Sequence, residues 1–161
     1  MATLPQLIEE DIHRLDDELR ELLTKTDATS ALIIDKGGFL ITSQGEARQF
    51  DLTTIAALAS GAFLANQTIA NLVQEDNFDS VYQQGTKYSM FVMAIDEHCL
   101  LVVIFKATVS VGAVKYFATP ASAHIAEQLI VAQQRDPSGG LDLSELNLAD
   151  TSDLFKRKSG L

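Results

Sequence analysis

A single cysteine, Cys99, leaves this chain without the pair that a disulfide needs. Basic residues are also scarce: 12 lysines and arginines face 22 acids, for a net charge of -10 and a pI near 4.6. Such a surface repels phosphate backbones and anionic headgroups, so neither nucleic acid nor a membrane surface is an expected partner. No Gly-Lys-Ser/Thr follows a glycine-rich loop, and no serine sits in a Gly-x-Ser-x-Gly elbow, which removes the usual phosphate cradle and the usual hydrolase nucleophile. Internal repeats are absent, and the first residues lack a basic stretch followed by an apolar one, so a cytoplasmic setting is expected. What is present, 161 residues of which 47% are hydrophobic and 21% charged, suits one globular domain with a short extension.

Residues 4 to 26 place Leu4, Leu7, Ile8, Ile12, Leu15, Leu19, Leu22 and Leu23 at helical spacing, opposite a face carrying Glu9, Glu10, Asp11, Asp16, Asp17, Glu18 and Glu21. Two apolar runs around Asp35-Lys36-Gly37-Gly38 predict a hairpin. Asp51 is a good N-cap for a second helix reaching about Val73, with Ile55, Leu58, Ala62, Ile69 and Val73 along one face and Ser60, Gln67 and Asn71 opposite. Three strands are expected next, at Ser80 to Gln84, Tyr88 to Ile95 and Cys99 to Phe105. The last is apolar on both sides and should be central; the first is short and polar, as an edge strand is. A third helix from about Val111 to Arg135 would bury Val114, Phe117, Ala121, Ile125, Leu129 and Ala132, with Pro120 expected to kink or delay it. Asp136-Pro137-Ser138-Gly139-Gly140 reads as a linker, which divides the chain into a domain at 1–135 and a flexible tail at 136–161. Leu141, Leu143, Leu146 and Leu148 and the basic run Lys156-Arg157-Lys158 would let that tail bind a partner or its own domain.

This order has a compact solution, an α+β three-layer sandwich in which a five-stranded antiparallel sheet carries one helix on one face and two on the other. The run from Ala31 to Ile41 through Asp35-Lys36-Gly37-Gly38, Asp51 opening a small-residue helix, and Gly85 before an apolar hairpin together resemble the Roadblock (dynein light chain) domain. Its bacterial branch, similar to the motility regulator MglB, is the nearer likeness, and it spans about residues 4 to 135. The doubled Gly37-Gly38 and Ala28-Thr29-Ser30, where the family often has a glycine, depart from the pattern. The resemblance implies a homodimer with a sheet continued across the two-fold axis, acting as a partner or regulator of a Ras-like small GTPase, with activation of its hydrolysis as one form of that regulation.

The residues themselves offer little chemistry. His13 with Glu9, Glu10 and Asp17 has spacing that could hold a cation, but a solvated acidic face is the better explanation. Cys99 beside His98 on a strand would point away from it, so a buried, inert thiol is expected. We therefore expect no enzyme activity, no cofactor, no metal and no catalytic residue.

Two features stand out instead. Leu52 to Gln74 contains no charged residue, which predicts a covered helix; Thr53, Thr54, Asn66 and Gln67 make it too polar for a membrane span. The strand at 80–84 lacks the lysine, proline or inward charge that guards a free edge. Both would be buried by a second copy, through Ala57, Gly61, Leu64, Ala65 and Thr68 on the helix and Val81, Tyr82 and Gln83 on the strand, leaving Ser60, Gln67 and Asn71 to dock the GTPase. A purely structural dimeric adaptor and a PAS- or GAF-like ligand sensor are the alternatives. A sensor needs a hollow, polar-lined core, and the inward residues are ordinary Leu, Ile, Val and Phe.

Overall fold

The computed structural model describes residues 4–46 and 48–135. The elements run α1 (Glu9–Thr26), β1 (Ser30–Asp35), β2 (Leu40–Gly45), α2 (Leu52–Leu72), β3 (Ser80–Gln83), β4 (Tyr88–Ala94), β5 (Cys99–Lys106) and α3 (Val111–Gln134). All neighbouring strands are antiparallel, in the order β2-β1-β5-β4-β3. Because side chains alternate along a strand, β5 supplies both layers. Leu101, Val103 and Phe105 meet Leu15, Leu19 and Leu22 of α1 and Val114, Ile125 and Leu129 of α3. Leu100, Val102 and Ile104 meet Leu52, Ala56, Ala59 and Phe63 of α2 on the other face. The three-layer sandwich, the central β5 and the edge position of β3 match the sequence-based expectation. The tail proposed at 136–161 lies outside the described residues.

The turn between β1 and β2 follows from its residues. Asp35 accepts the Phe39 amide on Oδ1 at 2.9 Å, its carbonyl accepts the Gly38 amide at 3.0 Å, and Gly38 takes a φ of 96° that a side chain would resist. A Cβ at Gly38 would also lie 3.2 Å from the Ala57 Cα, so the hairpin tip sits directly against α2. Asp51 caps α2 as expected, accepting the Thr54 amide on Oδ1 at 3.1 Å.

The first and third helices carry corrections. Helix α1 begins at Glu9, with Leu4 to Ile8 preceding it as irregular chain whose Leu4 and Leu7 still pack on the core. Asp11, assigned by its neighbours to the solvated face, is fully buried. Its carboxylate accepts the Ile8 amide at 2.9 Å, Gln128 Nε2 at 2.8 Å and both Arg135 guanidinium nitrogens at 2.7 and 2.9 Å. The Arg135 guanidinium, ahead of the Ile8 and Gln128 donors, holds this carboxyl well below the usual range, against the opposing effect of burial. Pro120 neither delays nor divides α3; it faces solvent, where water can satisfy the carbonyl left without a donor.

Candidate functional site: a half-covered helix beside a free sheet edge

Helix α2 is covered on one side only. Leu52, Ala56, Ala59, Ser60, Phe63 and Ala70 are buried, whereas Leu58 is 68%, Ile69 48%, Leu72 79% and Val73 62% exposed. The stripe read from the sequence, Ile55, Leu58, Ala62, Ile69 and Val73, is therefore mostly uncovered, and the buried line lies about a quarter turn round the helix from it. The reason is distance: β1 and β5 already present Leu32, Ile34, Leu100 and Val102, and small residues on the facing side of α2 let the helix settle close to them. Uncharged throughout, α2 is long and apolar enough to cross a bilayer by length and composition, yet its buried side packs on the sheet as a domain helix does.

The residues expected at a dimer interface fall mainly on the uncovered side. Ala57, Gly61, Leu64, Ala65 and Thr68 lie on α2 away from its buried residues, and a Cβ at Gly61 would meet nothing within 4 Å. On β3, Val81 packs toward α2, while Tyr82 points to the opposite face and stacks on Phe105 with centroids 6.2 Å apart. Gln83 is exposed. β3 pairs only with β4 and leaves its other side open among the described residues.

The residues expected to dock a partner divide. Ser60 is buried and donates its hydroxyl to the Lys36 carbonyl, tying α2 to the hairpin turn. Gln67 is half-buried, with Nε2 donating to the Phe78 carbonyl at 3.0 Å and Oε1 buried without a partner. Both therefore belong to the domain's own interior surface, contrary to expectation, because the side of α2 that bears them is the one turned to the sheet. Asn71 is exposed as expected.

Sequence reasoning missed a groove beside α2. Phe50, Ile55, Gln83, Tyr88, Met90 and Ile104 line about 350 Å³ between the start of the helix and the β3–β4 hairpin. Phe50 and Tyr88 meet edge to face with centroids 5.3 Å apart, and Tyr88 Oη donates to Gln49 Oε1 at 3.3 Å. The signal available was Phe50, an aromatic immediately before the Asp51 cap.

Chemically reactive groups are not gathered here. Cys99 is buried, and burial, then Asp96 and Asp35, push its thiol up to about 12, far from a thiolate at neutral pH. The three histidines stand apart: His13 Nδ1 is 3.0 Å from the Glu9 carbonyl, His124 Nδ1 is 3.2 Å from Glu18 Oε2, and His98 occupies the β4–β5 turn. Among the described residues, no three His, Cys, Asp or Glu side chains converge as a metal centre would need.

Comparison with known proteins agrees with this geometry. The Roadblock/LC7 domain matches residues 15–105, more than half of the chain. A structure described as MglB with tetrameric arrangement is 29% identical, covers 82% of this chain and 99% of its own, and superposes with a TM-score of 0.76. The gliding protein MglB of Thermus thermophilus is 30% identical over 80% of this chain and 98% of its own, with a TM-score of 0.74. Myxococcus xanthus MglB is 26% identical over 81% and 98%, also at 0.74. A search of curated protein sequences found no significant match. The chain belongs to the Roadblock/LC7 domain family, in a branch like that of the MglB proteins.

Proposed function

We propose that this protein is a homodimeric regulator of a Ras-like small GTPase. The observation that carries the reading is the combination of an uncharged helix exposing Leu58, Ile69, Leu72 and Val73 with an unguarded edge strand beside it. Isolated soluble domains seldom leave so continuous an apolar face open, and a second copy covers helix and edge together. Family membership supports the GTPase as the further partner. Asn71 and the exposed polar residues at the C-terminal end of α2 remain suitable for docking it, while Ser60 and Gln67 act within the domain.

Phosphoryl transfer would stay on the GTPase, with this chain contributing no catalytic side chain, metal or cofactor. Any acceleration of hydrolysis would come from ordering the partner's switch segments, bounded by the difference in affinity for its two states. Arg48, exposed in the loop before α2, is the nearest arginine to that helix in the sequence. A bacterial cytoplasm is the setting that fits this role.

Light scattering on the purified chain and titration into a co-encoded Ras-like GTPase, loaded with GTP analogue and then GDP, test the reading. A dimer that prefers one nucleotide state supports it. Equal binding to both states leaves an adaptor, and a monomer with no affinity for the GTPase refutes it. If hydrolysis accelerates and Arg48→Ala removes about a thousandfold of that acceleration while binding persists, the arginine acts as a finger.

A further inference from the structure

We infer that the furrow between α1 and α3, on the face of the sheet remote from α2, is the docking site of a segment of this same chain, residues 141–158. The contact involves neither α2 nor β3, and it stands apart from the homodimer and GTPase reading. The two helices run in opposite directions. Asp11 in the first turn of α1 meets Gln128 and Arg135 of α3, and Lys25 in the last turn of α1 lies over the Phe117 ring. Between these contacts is an open furrow of about 440 Å³, walled by Arg14, Asp17 and Glu18 on one side and by His124, Glu127 and Val131 on the other. It continues past Glu21 toward Lys25 and Phe117. Its borders are acidic on balance, since Asp17, Glu18, Glu21 and Glu127 outnumber Arg14 and Lys25, and the exposed Val131 adds an apolar rim. The bases are already engaged, Arg14 with Glu10 and Lys25 with Glu21, whereas Glu127 makes no ion pair among the described residues.

Position, length and chemistry all fit this segment to the furrow. Helix α3 ends at Gln134 and Arg135 is fastened to the start of α1, so the chain leaves the described domain at the mouth of the furrow. From Asp11 to Lys25, α1 advances about 21 Å, and residues 141–158 cover about 27 Å even as a helix. Asp136-Pro137-Ser138-Gly139-Gly140 lies between, with the residues that let a chain turn back on itself. Leu141, Leu143, Leu146 and Leu148 come first after this turn, beside Val131 and the exposed Ile8 at the near end. Lys156-Arg157-Lys158, the only three consecutive basic residues in the chain, come later and reach the acids at Asp17, Glu18 and Glu127. An untethered peptide of this composition would have to hold such a surface against the full cost of association. Here a short linker supplies an effective concentration in the millimolar range, so contacts of modest strength suffice. Docked in this way, the basic run is withheld from other acidic surfaces, and salt releases it.

A nitroxide attached to Ser159→Cys in the full chain tests the contact, and the native thiol does not compete for the label because Cys99 is buried. At low ionic strength the label should erase the amide signals of Asp17, Glu18 and Glu127 in a nuclear magnetic resonance spectrum. Raising the salt, or adding Lys156→Glu, Arg157→Glu and Lys158→Glu to the labelled chain, should restore them. Signals that stay sharp throughout overturn the proposal, and so does broadening confined to α2 and β3, which would place the segment on the other side of the sheet. A mixture of labelled chains with unlabelled, isotope-enriched ones separates the source of the segment. Sharp signals in that mixture support docking within one chain, and erased signals assign the segment to another copy and overturn it.

Discussion

The two faces of the sheet use opposite strategies with similar residues. On the α1–α3 face, Leu15, Leu19, Leu22, Ile125 and Leu129 are all turned inward, and ion pairs such as Arg20–Asp17 and Lys25–Glu21 decorate the outside. On the α2 face, the inward side holds mostly small residues and the larger aliphatic side chains face out. The first face buries its leucines within one chain, although α3 still exposes Tyr116, Ile130 and Val131. The second uses mostly small residues for closeness to the sheet and leaves Leu58, Ile69, Leu72 and Val73 exposed, the face proposed above to meet a partner.

The largest expected effect is on the first face. Leu19→Ala should destabilise folding by about 4 kcal/mol in denaturant titration, since a fully buried leucine leaves a cavity that rigid neighbours cannot fill. A loss under about 1 kcal/mol would show that this layer is looser than its burial implies.

Next comes the clasp on the same face. Arg135→Ala leaves the buried Asp11 carboxylate with only its Ile8 and Gln128 donors and should lower stability measurably at neutral pH, by less than the loss of Leu19. The sign with pH is fixed by the lowered folded-state value. The pair's contribution is complete above the ordinary carboxyl value of 3.8 and fades as pH falls below it, so the gap between wild type and variant should narrow in acid. A gap unchanged down to about pH 2 would show that Asp11 is not the group responsible.

On the open face the same size of change should move a different quantity. Ala65→Glu should alter monomer folding by under about 0.5 kcal/mol, because the site is exposed, yet weaken the proposed dimerisation at least ~100-fold by placing an unpaired carboxylate on the uncovered side of α2. Analytical ultracentrifugation across a dilution series reads this directly. If instead the melting curve collapses and association is unchanged, the contrast between the faces is wrong. The smallest effect is expected from Ser60→Ala, which removes one buried hydroxyl bond to the Lys36 carbonyl and should cost about 1 kcal/mol with no change in association.

The layer order, the hairpin turn and the capped start of α2 were legible because each depends on local rules: alternation in the strands, Gly38 at a positive φ, and Asp51 before a free helix end. The facing side of α2 was not. With no charged residue to mark solvent, Leu52, Ala56, Ala59 and Phe63 repeat as regularly as Ile55, Leu58, Ala62 and Ile69, and size misleads because a close-packed helix turns its small side inward. Asp11 was hidden for another reason. Its partner, Arg135, lies 124 residues away, and nothing local distinguishes Asp11 from the acids around it.

That pairing has a practical corollary for how the molecule can be handled. Because Arg135 is fastened to the first turn of α1, both described ends of the chain emerge together, on the layer remote from α2. A fluorophore, affinity handle or surface anchor attached beside either described end would start behind the sheet. Immobilised that way, the domain should present α2 and the β3 edge outward, ready to capture whatever binds them.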